Sequence, residues 1–284
     1  AQVRQPRYVL NKVLMVLCAS ITVAYLVYRG IYTLNLGTWY ATTASWTLYL
    51  AELWGGMSLL LFFLQIWAPV DPAEQTPLED VTIDVFVPSY NEGIPILRGT
   101  LQACLAMDCP HRTYLLDDGN REEMRQLCEE LGVHYIARDN NLHAKAGNLN
   151  NAFDQTDGEF VAILDADHIP EPNFLSRMLG YFRDEKLGFV QSPHAFSNFD
   201  TFQGRVNYEK GRFWDEGQLF YKVIQPARNT TNSVIFAGSA ALFRREALRE
   251  VGYIATETIS EDMQTGIRIY DRGCQSRYVK ERLL

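Results

Sequence analysis

The sequence predicts an α/β domain with a largely parallel sheet, preceded by two transmembrane helices. Two observations predict this arrangement: long uncharged segments lie near the N-terminus, and strand and helix patterns alternate after residue 80. We therefore expect two transmembrane helices over residues 1–70, a Pro-rich acidic linker over 71–80 and the α/β domain over 81–284.

The charge distribution supports this division. Residues 1–70 carry a net charge of +3 and residues 71–284 carry −11, which together give the net charge of −8. An acidic domain argues against nucleic-acid binding, which usually relies on a basic surface. The five cysteines show no C-x-x-C spacing, and this disfavours both a disulfide framework and a zinc site.

Two apolar segments have the length of a bilayer crossing, which takes about 20 apolar residues per helix. We place the spans at Lys12–Leu34 and Ala44–Trp67, where tyrosine and tryptophan residues near the ends fit interfacial aromatic belts. The alternative is a pair of buried core helices in a soluble protein.

Basic residues before the first span indicate its orientation. Arg4, Arg7 and Lys12 precede or open the span, whereas the loop between the spans has no basic residue beyond Arg29 at its edge. The positive-inside rule therefore puts the N-terminus, and after two crossings the α/β domain, on the cytoplasmic side of the inner (plasma) membrane. Glu52 lies within the second span, where it either contacts a helix or lines a channel, or instead snorkels to water.

Strand and helix patterns alternate after the linker. We predict strands at residues 81–87, 113–116, 133–137 and 160–164, and helices at residues 94–107, 122–131 and 146–153. The first strand is expected to end before Pro88, which has no N–H to donate. Such alternation is typical of parallel strands joined by helices, and in these folds ligands bind beyond the carboxyl ends of the strands.

Acidic residues follow two of the predicted strands. Asp117 and Asp118 end one of them, and Asp165 and Asp167 follow the strand at 160–164. The i, i+2 spacing can send both carboxylates to one side of an extended segment. Such oxygen ligands, together with diphosphate oxygens, suit Mg²⁺ or Mn²⁺. A lone D-x-D is more often a solvated turn, but its position after a buried strand, with a second acidic strand end upstream, favours the metal site.

Three further stretches carry candidate chemistry. Lys145 lies near a helix start, where it can meet a phosphate group, although no P-loop or G-x-G-x-x-G motif is present. Asp262 opens a helix as a candidate general base, but Ser260 and the early acids equally suit ordinary helix capping. The small residues of 236–240 either let a substrate approach closely or form a tight turn.

Eight short motifs, in their order and spacing, resemble the processive family-2 glycosyltransferases, and most closely those that make cellulose. The motifs are LYLAE (48–52), DVFVPSYNE (84–92), YLLDDG (114–119), HAKAGNLNNA (143–152), DADH (165–168), QSPHAF (191–196), FAGSAA (236–241) and ATETISED (255–262). The resemblance implies a GT-A fold with UDP-glucose as the donor.

The resemblance also implies roles for individual residues. Asp167 is the implied principal metal ligand for Mg²⁺ or Mn²⁺, together with Asp165. Asp262 takes the place of the catalytic base, with Ser260 where the family has threonine. The residues that the resemblance assigns to the donor are Ser89, Tyr90, Glu92, Asp118, Lys145 and Asp165.

The implied acceptor site lies in two other motifs. Phe236, Gly238 and Ser239 correspond to a platform beneath the last sugar, and His194 to a stretch near it. Ala237 stands where the family often has cysteine, which bears only on acceptor detail.

The implied reaction is the inverting transfer of glucose from UDP-glucose to the 4-hydroxyl of a growing β-1,4-glucan. The implied partners are the lipid bilayer, a further C-terminal transmembrane region and a periplasmic accessory subunit. The family's Q-x-x-R-W motif does not occur in residues 1–284, so we expect a C-terminally incomplete synthase that makes little polymer by itself. Two alternatives stay open: a synthase of another β-glycan (β-1,3-glucan or mannan), and a non-catalytic membrane scaffold that binds nucleotide sugars.

Overall fold

Two long apolar helices make up the N-terminal unit of the chain. The computed structural model describes residues 6–70, 76–194 and 216–284, and the chain divides into two units, Ala1–Pro69 and Val70–Leu284. In the first unit, α1 spans Pro6–Tyr32 and α2 spans Trp39–Ile66. Both contain a segment long and apolar enough to cross a membrane, and almost none of either segment is buried. This exposure argues against the alternative of buried core helices.

The second helix begins before its predicted start. It starts at Trp39 rather than Ala44, because the Thr38 side chain caps the helix by accepting a hydrogen bond from Ala41 N at 3.3 Å. The helix ends at Ile66, one residue before the predicted end. The cap thus lengthens the second apolar helix toward the loop between the helices.

An ion pair joins the two helices. Arg29 Nε lies 3.1 Å from Glu52 Oε2, and both side chains are largely shielded. Tyr49 donates a hydrogen bond to the carbonyl of Leu26 at 3.1 Å, and a Cβ on Gly56 would lie 2.6 Å from Leu26 Cδ1. Of the two interpretations of Glu52, the structure supports the helix–helix contact.

A seven-stranded sheet forms the centre of the second unit, within the described residues. The strand order is β3-β2-β1-β4-β6-β5-β7, in which β6 is antiparallel to both neighbours and all other neighbours are parallel. The strands are β1 (Ile83–Ser89), β2 (Arg112–Asp117), β3 (His134–Ala137), β4 (Phe160–Ile163), β5 (Leu187–Gln191), β6 (Ala241–Arg244) and β7 (Gln275–Tyr278). The last three strands were not predicted from the sequence.

Helices connect the strands and cover the sheet. They are α3 (Ile94–Leu105), α4 (Glu122–Leu131), α5 (Ala144–Phe153), α6 (Phe174–Leu179), α7 (Glu216–Leu219), α8 (Gln225–Arg228), α9 (Arg245–Arg249) and α10 (Glu261–Asp271). A 3₁₀ turn (Gly180–Arg183) follows α6, and a π-helical turn (Phe220–Ile224) joins α7 to α8.

The strand β1 continues through Pro88, contrary to the prediction that it would end before this residue. Pro88 pairs with Leu116 and Ser89 with Asp117 of β2, whereas pairing with β4 stops at Phe86. The missing N–H of Pro88 therefore removes no bond from the β1–β2 ladder. The extra residues carry the end of β1 to the same edge of the sheet as the end of β2.

Alternate residues of β1 enter the two halves of the core. Val85 and Val87 pack in a cluster with residues of α3, and Phe86 packs on the other face with residues of α5. Both faces are thus covered, as expected for parallel strands. The carboxyl ends of these strands are left as the edge at which a ligand can bind.

Asp84 forms a buried ionic cluster at the start of β1. Its side chain is fully buried and accepts hydrogen bonds from Arg112 Nε at 2.9 Å, Arg245 Nη2 at 2.7 Å and Gly158 N at 2.7 Å. Removing one partner of such a cluster leaves buried charge uncompensated. The cluster therefore holds β1, β2 and α9 together.

Replacing Asp84 with asparagine is expected to lower the free energy of unfolding by about 3–5 kcal/mol. Denaturant unfolding of the purified protein in detergent, followed by circular dichroism, measures the change. The matched control is Asp157→Asn, because Asp157 pairs with the same Arg112 but is 84% exposed, and it is expected to change little. Equal effects of the two substitutions would contradict the role given to the cluster.

Candidate active site

A cavity of about 480 Å³ opens at the carboxyl ends of β1, β2 and β4. The last residues of β1, residues that follow these strands, Ile96 of α3 and residues of α5 form its wall. The structure brings together here every residue that the sequence analysis assigned to a donor or a metal, namely Ser89, Tyr90, Glu92, Asp118, Lys145, Asp165 and Asp167.

Glu92 organises the turn after β1. Its Oε2 atom accepts hydrogen bonds from Ser89 Oγ and Tyr90 N, both at 2.8 Å. Burial raises the pKa of Glu92, but these hydrogen bonds outweigh burial and hold the pKa below its ordinary value. Glu92 is therefore ionised at neutral pH, and the exposed Tyr90 ring lies beside it on the cavity wall.

The two adjacent aspartates at the end of β2 have different surroundings. Asp117 is fully buried and accepts hydrogen bonds from Arg121 N at 2.6 Å and Tyr135 OH at 2.9 Å. Arg121 also donates to Ser89 Oγ at 2.7 Å, which joins the ends of β1 and β2. Asp117 is thus structural, whereas Asp118 lines the cavity.

Asp118 is paired with Arg138, which the sequence analysis did not single out. Arg138 binds both carboxylate oxygens, from Nε to Oδ1 and from Nη2 to Oδ2. It also donates to the carbonyl oxygens of Leu142 at 2.7 Å and Ala144 at 2.9 Å. Its sequence signal is its place directly after β3, the strand beside β2.

Lys145 joins the end of β4 to the segment before β6. Its Nζ forms an ion pair with Asp165 and donates a hydrogen bond to the carbonyl of Gly238 at 2.9 Å. Burial raises the pKa of Asp165, but the charge and hydrogen bond of Lys145 outweigh burial and lower the pKa. The cavity therefore holds a fixed pair of opposite charges.

Gly147 lets the loop before α5 fold back on the helix. A Cβ at this position would clash with the carbonyl oxygen of Leu142, so only glycine fits. His143 and Ala144 have positive φ angles of 61° and 44°. This loop conformation sets the start of α5 and hence the position of Lys145.

Asp167 is exposed on the cavity wall, and its carboxylate makes no hydrogen bond or ion pair within the described part of the chain. In the same part of the chain, no three His, Cys, Asp or Glu side chains cluster as a complete metal site. The donor set of Asp167 and the nearby Asp165 fits a Mg²⁺ or Mn²⁺ ion that takes its other ligands from phosphate oxygens and water.

Asp262 lies across Gly238 from Lys145. A Cβ on Gly238, which has a φ of +83°, would lie 3.4 Å from Asp262 Oδ2, and the other carboxylate oxygen accepts from Met263 N at 2.7 Å. Ser260 makes no side-chain capping bond to α10, so the capping explanation of this motif is not supported for the serine. Asp262 and the Lys145–Asp165 pair therefore lie next to the same residue, Gly238.

Two histidines and a tyrosine form a further wall near Asp165. His194 Nε2 lies 3.2 Å from Ser239 Oγ, and its ring lies 5.2 Å from those of His168 and Tyr221. Burial lowers the pKa of His168 to about 4 and also lowers the pKa of His194. Both imidazoles are therefore neutral at neutral pH. His168 and Tyr221 were not singled out in the sequence.

Phe236 does not line the cavity. Its side chain is 2% exposed, and its ring packs edge-on against Phe243 with centroids 4.8 Å apart. A platform for a sugar needs an exposed ring face, so the expectation for Phe236 needs correction: its ring belongs to the core beneath β6. In the same segment, the Gly238 carbonyl accepts a hydrogen bond from Lys145, and Ser239 Oγ contacts His194.

Comparison with known proteins identifies close relatives in sequence. The chain is 38% identical over 279 residues to the UDP-forming cellulose synthase catalytic subunit of Pseudomonas fluorescens, and 40% identical over 277 residues to the cellulose synthase 1 catalytic subunit of Komagataeibacter xylinus. Each alignment covers 94% of this chain and 37% of the relative. The chain therefore spans little more than a third of the length of these relatives.

Solved structures share the fold at lower identity. The mannosyltransferase PcManGT of Pyrobaculum calidifontis, in complex with GDP-Man and Mn²⁺, matches with a TM-score of 0.62 and 22% identity over 82% of this chain and 65% of its own. S. aureus TarS 1-349, in complex with UDP, matches with a TM-score of 0.52 and 17% identity over 71% of this chain and 58% of its own. These matches confirm the expected GT-A fold.

A family model matches the part of the chain that contains all the cavity-lining residues. The model for glycosyl transferase family 2 matches residues 84–252, which is more than half of the chain and runs from β1 to just beyond α9. The chain belongs to glycosyl transferase family 2.

Proposed function

We propose that the cavity binds UDP-glucose and that the protein transfers its glucose to the 4-hydroxyl of a growing β-1,4-glucan. One observation carries the proposal: Asp118, Lys145, Asp165 and Asp167 line one cavity, and Asp262 lies just across Gly238 from it. The names of the relatives, UDP-forming cellulose synthases aligned over 94% of this chain, favour this donor and product.

In this proposal the nucleoside binds near the ends of β1 and β2. Ser89, Tyr90 and Glu92 form one wall, and Asp118 offers carboxylate oxygens to a donor group of the base or ribose. Lys145 lies farther along the cavity beside Asp165, where its ammonium group can pair with the diphosphate.

Asp167, together with Asp165, would hold a Mg²⁺ or Mn²⁺ ion at the diphosphate. When bound, the ion supplies positive charge that stabilises the departing UDP. Lys145 contributes a second positive charge from the protein itself, already oriented by its bond to the Gly238 carbonyl. Asp165 keeps this ammonium group in place.

Asp262 is the proposed general base. Its Oδ2 atom lies beside Gly238, so it can accept the proton of an acceptor hydroxyl that attacks the anomeric carbon from the side opposite UDP. A single displacement of this kind inverts the anomeric configuration. His194 and Tyr221 would line the path of the acceptor, and their neutral, partly buried groups suit hydrogen bonds to sugar hydroxyls. The fully buried Ser239 would act through its contact with His194.

We also propose that α1 and α2 cross the inner membrane, with the N-terminus and the α/β domain in the cytoplasm. The apolar, exposed surfaces of both helices and the basic residues at the N-terminus support this orientation. An epitope tag at the N-terminus should resist protease added to spheroplasts and be digested only after the membrane is permeabilised. Digestion in intact spheroplasts would contradict the orientation.

A panel of radiolabelled donors tests the proposed reaction. We expect the full-length enzyme to incorporate glucose from UDP-glucose into a product that a β-1,4-glucanase degrades. Because solved structures with this fold hold GDP-mannose or UDP, GDP-mannose is an essential comparison. Preferred incorporation from GDP-mannose, or a product cleaved only by a β-1,3-glucanase, would contradict the proposal. UDP binding without any transfer would instead support a non-catalytic scaffold.

A further inference from the structure

The Arg138–Asp118 pair has a geometry that bears on the choice of nucleobase. Both side chains are almost completely shielded, with 7% and 6% of their surfaces exposed. Arg138 uses Nε and Nη2 to bind the two carboxylate oxygens side by side. Its bonds to Leu142 and Ala144 bring four of its five N–H groups into contacts with the protein. The guanidinium therefore cannot swing away without breaking four hydrogen bonds.

A carboxylate has one outer edge on which both oxygens can accept two parallel hydrogen bonds. Guanine presents two parallel donors, N1–H and the 2-amino group, which match this edge. Uracil presents a single donor, N3–H, between two carbonyl groups. In this structure Arg138 occupies the outer edge of Asp118, so each oxygen has only its remaining lone-pair direction to offer a ligand.

We propose that Arg138 is a specificity-determining positioning residue, which makes Asp118 accept a single N–H donor and so favours uracil over guanine. This inference rests on the proposed function, since it takes the base of the nucleotide to lie against Asp118. Arg138 acts through Asp118, and the base does not need to touch Arg138. The GT-A fold does not decide the base, so side chains such as this pair must do so.

Inosine diphosphate separates this effect from the size of the base. Hypoxanthine has the shape of guanine and its N1–H donor but lacks the 2-amino group. The experiment measures the dissociation constants of UDP, GDP and IDP by competition against a fluorescent UDP analogue, with the full chain in detergent. It compares the wild type with two variants. Arg138→Lys keeps the positive charge but cannot make the two parallel hydrogen bonds to Asp118, and Arg138→Met removes both the charge and the hydrogen bonds.

In the wild type we expect UDP to bind and GDP to bind no more than about twofold more tightly than IDP. In both Arg138 variants the second donor of guanine gains a partner, and we expect GDP to gain about tenfold over IDP. The matched control is Arg98→Lys, because Arg98 likewise binds both carboxylate oxygens of one acid, Glu130, and neither residue lines the cavity. It is expected to leave the GDP-to-IDP ratio unchanged. Thermal unfolding of every variant verifies that it is folded.

Two results would overturn the inference without touching the proposed function. One is a ratio of the GDP and IDP dissociation constants that is the same in the wild type and in both Arg138 variants. Absence of purine binding in all three proteins counts as this result. The other is an equal change of the ratio in the Arg98 variant. Failure of the wild type to bind UDP at all would instead refute the proposed function on which the inference rests.

Discussion

Replacing Asp262 with asparagine should lower glucose transfer by about 10²–10⁴-fold, the usual contribution of a general base. The amide has the same shape but cannot accept the proton of the acceptor hydroxyl. Asp262 lies across Gly238 from the Lys145–Asp165 pair and is not among the residues that line the cavity, so UDP affinity should stay within about twofold. Incorporation of radiolabelled glucose by the full-length enzyme, and UDP titration by calorimetry, measure the two quantities.

Glu261→Gln is the matched control for this substitution. Glu261 is the neighbouring acid in the first turn of α10, and its negative charge interacts with the helix dipole in the same way as that of Asp262. It should retain most of the activity. Normal glucan synthesis by Asp262→Asn, or an equal loss in both variants, would remove the assignment of Asp262 as the base.

The second large effect is expected for Asp167→Ala, which should abolish the strengthening of UDP binding by Mn²⁺. The reason is that Asp167 offers a carboxylate with no hydrogen bond or ion pair in the described part of the chain, whereas Asp165 is already bound to Lys145. Calorimetric titration of UDP with and without Mn²⁺ gives the comparison.

Metal-free UDP binding should survive this substitution, since Lys145 and Asp118 are unchanged. Asp154→Ala is the control, because Asp154 is an exposed acid at the end of α5, away from the cavity. Unchanged dependence on Mn²⁺ in Asp167→Ala would exclude Asp167 as the principal ligand, and a loss in Asp154→Ala would show that the effect is only one of net charge.

Part of the cavity wall was predictable because its residues follow strands that are themselves visible in the sequence. The pair Asp117–Asp118 and Asp165 come directly after short apolar runs, and parallel strands bring such ends to one edge. Lys145 is close to the start of α5, which the same alternation predicts. The apolar length of α1 and α2 was equally visible, although the cap at Thr38 changed the start of α2.

Other features depend on pairings between distant segments, which no local pattern reveals. Arg138 meets Asp118 only because β3 lies beside β2, and Arg121 joins Ser89 only because β1 extends past Pro88. The antiparallel β6 buries Phe236 against Phe243, and this pairing moved the phenylalanine from the expected acceptor platform into the core. The segment 195–215, which includes Phe196 at the end of the QSPHAF motif, lies outside the described residues.

We propose that the cavity at the ends of β1, β2 and β4 binds the nucleotide donor. A crystal structure of the protein with UDP and Mn²⁺, with an anomalous difference map for manganese, tests it most directly. We expect the uracil ring beside Asp118, the diphosphate near Lys145 and a manganese peak within coordination distance of Asp167. A nucleotide bound elsewhere on the domain, or manganese bound away from Asp167 with UDP in place, would contradict it.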